Sequence, residues 1–433
     1  MDISTITILM FSSMFLLMLL GIPLGIATGG IAAGFLMAFL GLDALPLITT
    51  RIYDFIDNYA LVALPFFIFM ASVMERGGVA HDLYDAIRLW AGRLRGGIGA
   101  MTVVVAMVLA AMSGVIGGEI VLLGIIALPQ MLRLGYDKDL AIGTVAAGGS
   151  LGTMIPPSIN LIIFGLTANV SISQLFLASA TPGVLMGMTY IAYILIRCYL
   201  NPALGPIPSD EELDVPFSEK MASLKNVILP ILIAFSVLGS IYAGIASVSE
   251  AAGVGAFAMV IAIWFRGKLT ADLLKTAMVQ TMRTCGMVLW LIFGAVSLVG
   301  VYNLLGGSAF IRELLTGLDV APIVIILIMC GVFIVLGCLM DGTAICLLTI
   351  PIFAPIVSAL GYDLIWFGII FAITCQTGYI SPPFGTAAFY LKGVAPKGIE
   401  ITDIFRALLP FVGLQLIVLA AILFIPGIAL WPL

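Results

Sequence analysis

Gly148-Gly149-Ser150-Leu151-Gly152-Thr153-Met154-Ile155-Pro156-Pro157-Ser158 interrupts an apolar stretch that runs over about 138–167. Proline removes a backbone donor and clashes with the preceding helical turn, so two adjacent prolines after a glycine cluster unwind a helix. The device recurs as Thr377-Gly378-Tyr379-Ile380-Ser381-Pro382-Pro383-Phe384-Gly385-Thr386, inside a second apolar stretch over about 364–392. One such break can be a mere structural kink. Two, at equivalent places, point to a central site. In hydrocarbon, unwound backbone persists only against protein or a wet cavity. Freed carbonyls there can coordinate a cation, and a half-helix N-terminus can face an anion.

The equivalence of the two places extends outward. With a shift of 226, residues 129–157 align with 355–383 and share 9 identities in 29 positions. Pro129 meets Pro355, Leu134-Gly135-Tyr136-Asp137 meets Leu360-Gly361-Tyr362-Asp363, Ala146 meets Ala372, Gly152 meets Gly378, and the Pro-Pro pairs coincide. The chain therefore reads as a duplication, with residues 1–200 as the first repeat, 201–225 as a linker and 226–433 as the second. Asn201 to Lys220 is the long polar segment, with Pro202, Pro206, Pro208 and Pro216 and the acids Asp210, Glu211, Glu212 and Asp214. Charge orients the halves, because cytoplasmic loops carry the Lys/Arg excess. Loop 88–95 has Arg88, Arg93 and Arg95, whereas its counterpart 314–321 has Asp319 and no Lys or Arg. Loop 133–138 has Arg133 and Lys138, against Asp363 alone in 359–364. Loop 266–275 has Arg266, Lys268 and Lys275, against Asp43 in 40–49. Opposite bias in matching loops is what inverted-topology repeats require. It puts both termini outside and the linker in the cytoplasm.

Composition agrees with a bilayer. Of 433 residues, 62% are hydrophobic and only 9% charged, with a mean hydropathy of +1.24. Soluble domains carry about 25% charge. At about 20 apolar residues per span, roughly 10–12 membrane helices are expected. Short amphipathic stretches at about 43–57, 79–93 and 268–280 read as helices along the interface or as connecting loops. The first apolar segment has no basic n-region or small-residue cleavage site and reads as a retained span. Net charge is −5 with no basic tract, so nucleic acid is not an expected partner. A single histidine, His81, leaves little for metal chemistry or acid–base catalysis. Six cysteines without a CxxC pair read as buried thiols.

A second pair of motifs precedes each break by about 40 residues: Ser113-Gly114-Val115-Ile116-Gly117-Gly118-Glu119 and Met340-Asp341-Gly342-Thr343. Ser-Gly and Asp-Gly are ordinary cap and turn signals. Carboxylates at membrane depth are costly and functional by default. Glu119 and Asp341 thus read either as helix caps or as members of re-entrant hairpins, near 113–120 and 338–345, that face the broken helices and enclose cations. Ser247-Val248-Ser249-Glu250 reads as an N-cap, and Gly306-Gly307 as a hinge or a turn.

With these residues in view, the chain resembles the large membrane subunit of tripartite ATP-independent periplasmic (TRAP) transporters. The resemblance runs over essentially the whole length. It rests on Leu64-Pro65-Phe66-Phe67, the Ser113-Gly114 turn, Gly135-Tyr136, Gly152…Pro156-Pro157-Ser158, Ser249-Glu250-Ala251-Ala252 and Gly378…Pro382-Pro383-x-Gly385. It implies an all-α polytopic membrane protein of the elevator type, in the bacterial inner membrane, with two hairpins and two broken helices moving against a scaffold. Na⁺ would drive import without ATP. The partners implied are a periplasmic substrate-binding protein and a separate small four-helix membrane subunit. The substrate implied is an organic acid such as a C4-dicarboxylate or a sialic acid. No organic cofactor is implied. By position, a first Na⁺ site would use Ser113, Gly114 and Gly117 with Gly149, Gly152 and Ile155. A second would use Asp341, Gly342 and Thr343 with Thr377, Gly378 and Ser381. Where the family often has Ser-Gly-Ser-Ala, this chain has Ser113-Gly114-Val115-Ile116, one hydroxyl fewer. The anionic substrate is expected around the breaks, at Ser150, Pro156, Ser158, Asn160, Pro382, Gly385 and Thr386, with donors from half-helix N-termini. A self-sufficient Na⁺/carboxylate symporter is the alternative within the same fold. A channel and an intramembrane enzyme are the other classes, the latter without a Ser/His or paired-Asp constellation to support it.

Overall fold

The computed structural model describes residues 1–90, 92, 94–114, 117–207, 216–317 and 319–433. Val115 and Ile116 of the first hairpin, Arg93, and the linker residues Pro208, Asp210, Glu211, Glu212 and Asp214 lie outside the described residues. The described chain is helical, and the shift of 226 relates nearly every element of its two halves.

The first half runs α1 (Ile3–Leu19), α2 (Leu24–Leu40), α3 (Pro46–Ile56), α4 (Ala63–Arg76), α5 (Val79–Arg88), α6 (Gly97–Ser113), α7 (Gly118–Arg133), α8 (Lys138–Gly149), α9 (Ile159–Ala168) and α10 (Ile172–Leu200). The second runs α11 (Phe217–Tyr242), α12 (Val248–Phe265), α13 (Ala271–Leu304), α14 (Gly307–Thr316), α15 (Pro322–Leu339), α16 (Gly342–Ala359), α17 (Leu364–Ile380), α18 (Thr386–Val394), α19 (Ile401–Phe424) and the short α20 (Gly427–Leu430). The repeated Leu-Gly-Tyr-Asp has a local cause in both halves. Gly135 and Gly361 both take φ +81°, a left-handed conformation that ends α7 and α16. Two residues on, Asp137 caps α8 by accepting from Leu140 N at 3.0 Å. Asp363 caps α17 in the same way, accepting from Ile365 N at 2.7 Å.

The halves differ at two places. In the first, α3 and α4 are separate, parted by Asp57-Asn58, where the Asn58 side chain accepts from Ala60 N at 3.1 Å. The equivalent positions hold Arg283-Thr284, and Leu291 replaces Pro65. Nothing stops the helix, and α13 runs unbroken for 34 residues. The stretch at 268–280, expected as an interfacial helix or loop, is therefore mostly the opening of α13. The breaks also differ. α8 ends at Gly149 and passes through a tight 3₁₀ turn, Ser150–Thr153, whereas α17 continues to Ile380. Gly148, Gly149 and Gly152 in the first half stand opposite Thr374, Cys375 and Gly378, and fewer glycines make a better helix. Both Pro-Pro bonds are cis.

Among the described residues, seven helices are long and apolar enough to cross a membrane, or eight if the bent segment over 218–242 counts as one. The sequence estimate of ten to twelve also counted helices such as α1, α2 and α6, whose 17 residues fall just short of that length.

The helices form two groups. α1–α4 pack with α11–α13, while α6–α10 pack with α15–α19 around the two breaks. A buried aromatic cluster anchors the second group. Phe333 of α15 stands edge-on to Phe371 of α17, with centroids 5.1 Å apart, and Phe164 of α9 meets Phe371 at 5.6 Å. Trp366 Nε1 donates to Ile422 O at 3.0 Å, tying α17 to α19. Ion pairs join element ends: Lys138 to Asp403 at 2.6 Å, Arg406 to Asp139 at 3.0 Å, and both Arg266 and Lys268 to Asp82.

Candidate cation and substrate site

Two cavities open along the border between the helix groups. The larger, about 370 Å³, lies between α4, the α6–α7 hairpin, α13 and α18, and its lining includes Ser72, Glu75, Ser113, Glu119 and Gln280. The smaller, about 110 Å³, is lined by Gly114, Thr153, Asn160, Asp341, Thr343 and Thr386 among others. Both touch Thr284 and Met287 of α13 and Tyr390 of α18. Among the described residues neither lining contains Lys, Arg or His, so the donors available to an anion are hydroxyls, the Asn160 and Gln280 amides and the N-termini of α9 and α18.

The first hairpin is pressed against the first break. Gly114 has φ +61°, and a Cβ there would collide with the Pro157 carbonyl. Ile159 N, at the start of α9, donates to Gly114 O at 3.4 Å. Gly149 lies against the Ile120 backbone, where a Cβ would fall 2.9 Å from Ile120 N. Gly152 lies against Glu119, where a Cβ would fall 2.7 Å from Oε1 and 2.9 Å from Oε2. The Glu119 carboxylate is 4% exposed, and its Oε1 accepts from Ser113 Oγ. Within the break, Ser158 Oγ donates to Thr153 O at 2.7 Å, Thr153 Oγ1 to Ser150 O at 3.0 Å and Ser150 Oγ to Ala147 O at 2.7 Å, so these hydroxyls brace the unwound turn.

The second hairpin tip reaches across both halves. Asp341 is exposed to the smaller cavity and caps α16, accepting from Thr343 N at 3.0 Å. Thr343 Oγ1 donates to Asn160 Oδ1 at 3.4 Å, and Asn160 Nδ2 donates to the Tyr379 hydroxyl at 3.5 Å. Gly342 lies against Tyr379 and Asn160 with no room for a Cβ. The second break is held otherwise. Thr377 Oγ1 donates to Ile373 O at 2.9 Å, Ser381 Oγ to Thr377 O at 2.7 Å, and Gly378 crosses Gly337 of α15 closely. Cys338 Sγ donates to the Ser381 and Pro382 carbonyls at 3.9 Å each.

Of the expected site residues, Ser113, Gly114, Gly149 and Gly152 come together at the first hairpin and break. Asp341 and Thr343 share the smaller cavity with Asn160 and Thr386, and Gly342 abuts them. Thr377, Gly378 and Ser381 sit beyond Tyr379, beside the end of α15, and Gly385 is folded onto the Tyr379 and Ser381 carbonyls. Gly117 is in the larger cavity but meets the Tyr390 ring. Ser150 and Ser158 are buried within the break; Ser150 Oγ accepts from Gln376 Nε2 at 3.2 Å. Three more of the expected residues point their side chains away from both cavities. The Ile155 side chain faces Gly183 of α10, and with Pro156 it lines an apolar groove between α6, α10 and α11. Pro382 is exposed outside both cavities. The sequence reading missed Thr153, Tyr379, Tyr390, Glu75, Gln280 and Thr284. Gln280 and Thr284 lie in the stretch Gln280-Thr281-Met282-Arg283-Thr284, whose polar residues fall on more than one helix face, so no single polar stripe marks them.

The donor chemistry fits a hard monovalent cation. It offers hydroxyl, carboxylate and main-chain oxygens around glycines where only a bare Cα fits. No group of three or more His, Cys, Asp or Glu suited to a metal ion occurs among the described residues.

Fold and site together define a multi-pass, all-helical membrane transporter. The crystal structure of the YdaH transporter of Alcanivorax borkumensis, described as having an unusual topology, shares this fold with a TM-score of 0.66 at 17% identity over 90% of each chain. The family model for the tripartite ATP-independent periplasmic transporter, DctM component, matches residues 11–428, and the chain belongs to that family. It is 29% identical to the C4-dicarboxylate TRAP transporter large permease protein DctM of Pseudomonas aeruginosa, over 93% of this chain and 92% of that protein. It is also 29% identical to the isethionate TRAP transporter permease protein DctMQ of Oleidesulfovibrio alaskensis, over 98% of this chain and 65% of that longer protein. The chain is thus a transporter membrane subunit and not an enzyme.

Proposed function

We propose that this subunit imports an organic acid across the bacterial inner membrane, driven by Na⁺ and dependent on a periplasmic binding protein and a separate small four-helix membrane subunit. The reading is supported above all by the fit of the hairpin tips: the first against the unwound chain of the first break, the second against Tyr379 of α17 and Asn160 of α9. Gly114 and Gly152 of the first half, and Gly342 of the second, leave no room for a methyl group, so hairpin and break must move together. That favours an elevator-like displacement of α6–α9 and α15–α18 against α1–α4 and α11–α13, with the two cavities at the sliding border. A bound Na⁺ would supply positive charge beside Ser113, Gly149 and Gly152, and a second beside Asp341 and Thr343. The chain's own part is to place those oxygens, exclude water by the close glycine contacts, and present the N-termini of α9 and α18 to the substrate carboxylate. The relatives named for C4-dicarboxylate and isethionate both handle organic anions, which supports the substrate class.

The charge bias of matching loops supports inverted repeats over 1–200 and 226–433, with periplasmic termini and a cytoplasmic 201–225 linker. The contact between Ser150 and Gln376 supports them too. These residues differ by the repeat shift itself, and equivalent positions touch where a two-fold axis passes.

Proteoliposomes holding the membrane subunits, with the purified binding protein outside, test the proposal. Radiolabelled dicarboxylate, sialic acid and isethionate should be screened for uptake that needs an inward Na⁺ gradient. Uptake by this chain alone would establish the self-sufficient symporter instead. Uptake indifferent to Na⁺ would remove the coupling ion.

A further inference from the structure

The Glu119 carboxylate is the part of the first hairpin that its hydrogen bonds leave unsatisfied. Oε1 accepts from Ser113 Oγ, whereas Oε2 has no partner, although the residue is 4% exposed. Polar atoms this deeply buried are nearly always paired, and a carboxylate oxygen more so. The free oxygen is not aimed at lipid. Both carboxylate oxygens face Gly152 in the first break, within 3 Å of where a Cβ would sit, and the group lines the larger cavity. The other carboxylate of that cavity is Glu75, whose Oε2 lies 4.0 Å from the Cβ position on Gly118, beside Glu119 in sequence. No basic side chain lines the cavity among the described residues. Held as an anion, a carboxylate buried this deeply, with Glu75 on the same cavity and no cationic side chain in the lining among the described residues, requires a mobile cation.

We infer that Glu119 is a direct ligand of the first cation site, supplying the full negative charge there as Asp341 does at the second. The inference rests on the Na⁺ reading above and adds to it a residue and a charge. Ser113 Oγ, Glu119 Oε2 and the main chain at Gly152 then surround one ion. Ser113 holds the carboxylate in place, and glycine at position 152 lets the broken chain approach it. A hydroxyl-and-carbonyl site without charge would bind Na⁺ weakly; a carboxylate raises its affinity. Because α7 carries Glu119 and the first break carries Gly152, binding would also fasten hairpin to break.

The test is Na⁺ binding to purified protein in detergent, followed by ²²Na⁺ retention and by the rise of the thermal unfolding midpoint with Na⁺, choline replacing it at constant ionic strength. In wild type both should saturate with Na⁺. Glu119→Gln, nearly isosteric and uncharged, should raise the half-saturating Na⁺ at least tenfold at this site and lower the bound Na⁺ by one. Glu119→Asp should retain binding at reduced affinity. Gly152→Ala keeps the carboxylate but drives a methyl into it, and should weaken Na⁺ as Glu119→Gln does, which decides the matter if that variant does not fold. A Na⁺-stabilised wild type with unchanged affinity and stoichiometry in Glu119→Gln and Gly152→Ala would overturn the assignment and leave the Na⁺ reading intact. A wild type that retains no Na⁺ would overturn both.

Discussion

Asp341 carries two roles that substitutions can separate. Its Oδ2 accepts from Thr343 N at 3.0 Å as the cap of α16, and its carboxylate opens on the smaller cavity. Asn caps about as well as Asp, while Ala loses about 1 kcal/mol. Asp341→Asn should therefore unfold close to the wild-type temperature yet lose Na⁺-dependent uptake. Asp341→Ala should lose uptake and some stability as well, read by thermal unfolding beside proteoliposome transport. Ser381→Ala deletes the hydroxyl that donates to Thr377 O at 2.7 Å, at a net cost of about 1 kcal/mol. It is expected to stay folded and to stop uptake, because that hydroxyl braces the second break, which reaches the Asp341 hairpin through the Tyr379–Gly342 contact. Normal transport in both the Asp341 and Ser381 variants would remove the proposed second cation site. At this scale the sequence was partly legible. Asp341 and Glu119 announced themselves as carboxylates beside turns in apolar surroundings. Tyr390 and Thr284 did not, because what makes them part of the site is the packing of α18 and α13 against distant hairpins, which no local pattern encodes.

Helices and their ends were the most legible level, since stops and caps are local chemistry. Leu-Gly-Tyr-Asp marks a left-handed glycine and an aspartate cap in both halves, and Pro-Pro marks both breaks. The continuity of α13 was not legible. Polar residues at 268–280 resembled the amphipathic α3, and only the missing Asp57-Asn58 turn and Pro65 distinguish the two. Glycines also divide by environment in a way that sequence hides. Gly378 crosses Gly337 so closely that a Cβ would lie 2.7 Å from the Gly337 Cα. Gly378→Ala should destabilise by about 1–3 kcal/mol by forcing α15 and α17 apart. Gly286, on α13, has nothing within 4 Å of its Cβ position, so Gly286→Ala should be neutral or stabilising by up to about 1 kcal/mol. Thermal midpoints of the two variants in one detergent check the contrast.

For the whole molecule, the proposed displacement of one helix group past the other makes their border the place to arrest it. Glu75 of α4 approaches Gly118 of α7 across that border, its Oε2 4.0 Å from the Gly118 Cβ position. Glu75→Cys and Gly118→Cys, joined by a short thiol cross-linker, should lose the uptake that the same double variant keeps when unjoined; equal uptake in the joined state would exclude sliding at this face. Orientation is a separate matter. Alkaline phosphatase fused after Leu433 should be active and a fused green fluorescent protein dark if the C-terminus is periplasmic, and the reverse result would invert the topology. The breaks themselves are unequally covered: residues 151–160 are all buried, whereas Pro382, Pro383 and Phe384 are exposed. The unbroken α13 has one more consequence. At about 1.5 Å per residue its 34 residues span about 51 Å, against a hydrocarbon core of about 30 Å. Such a rod must tilt steeply or project into the headgroups, and tilt answers to lipid chain length. Since α13 forms one wall of both cavities, bilayer thickness becomes a mechanical input to the site: vesicles of shorter or longer acyl chains should change the transport rate through the slant of a single helix.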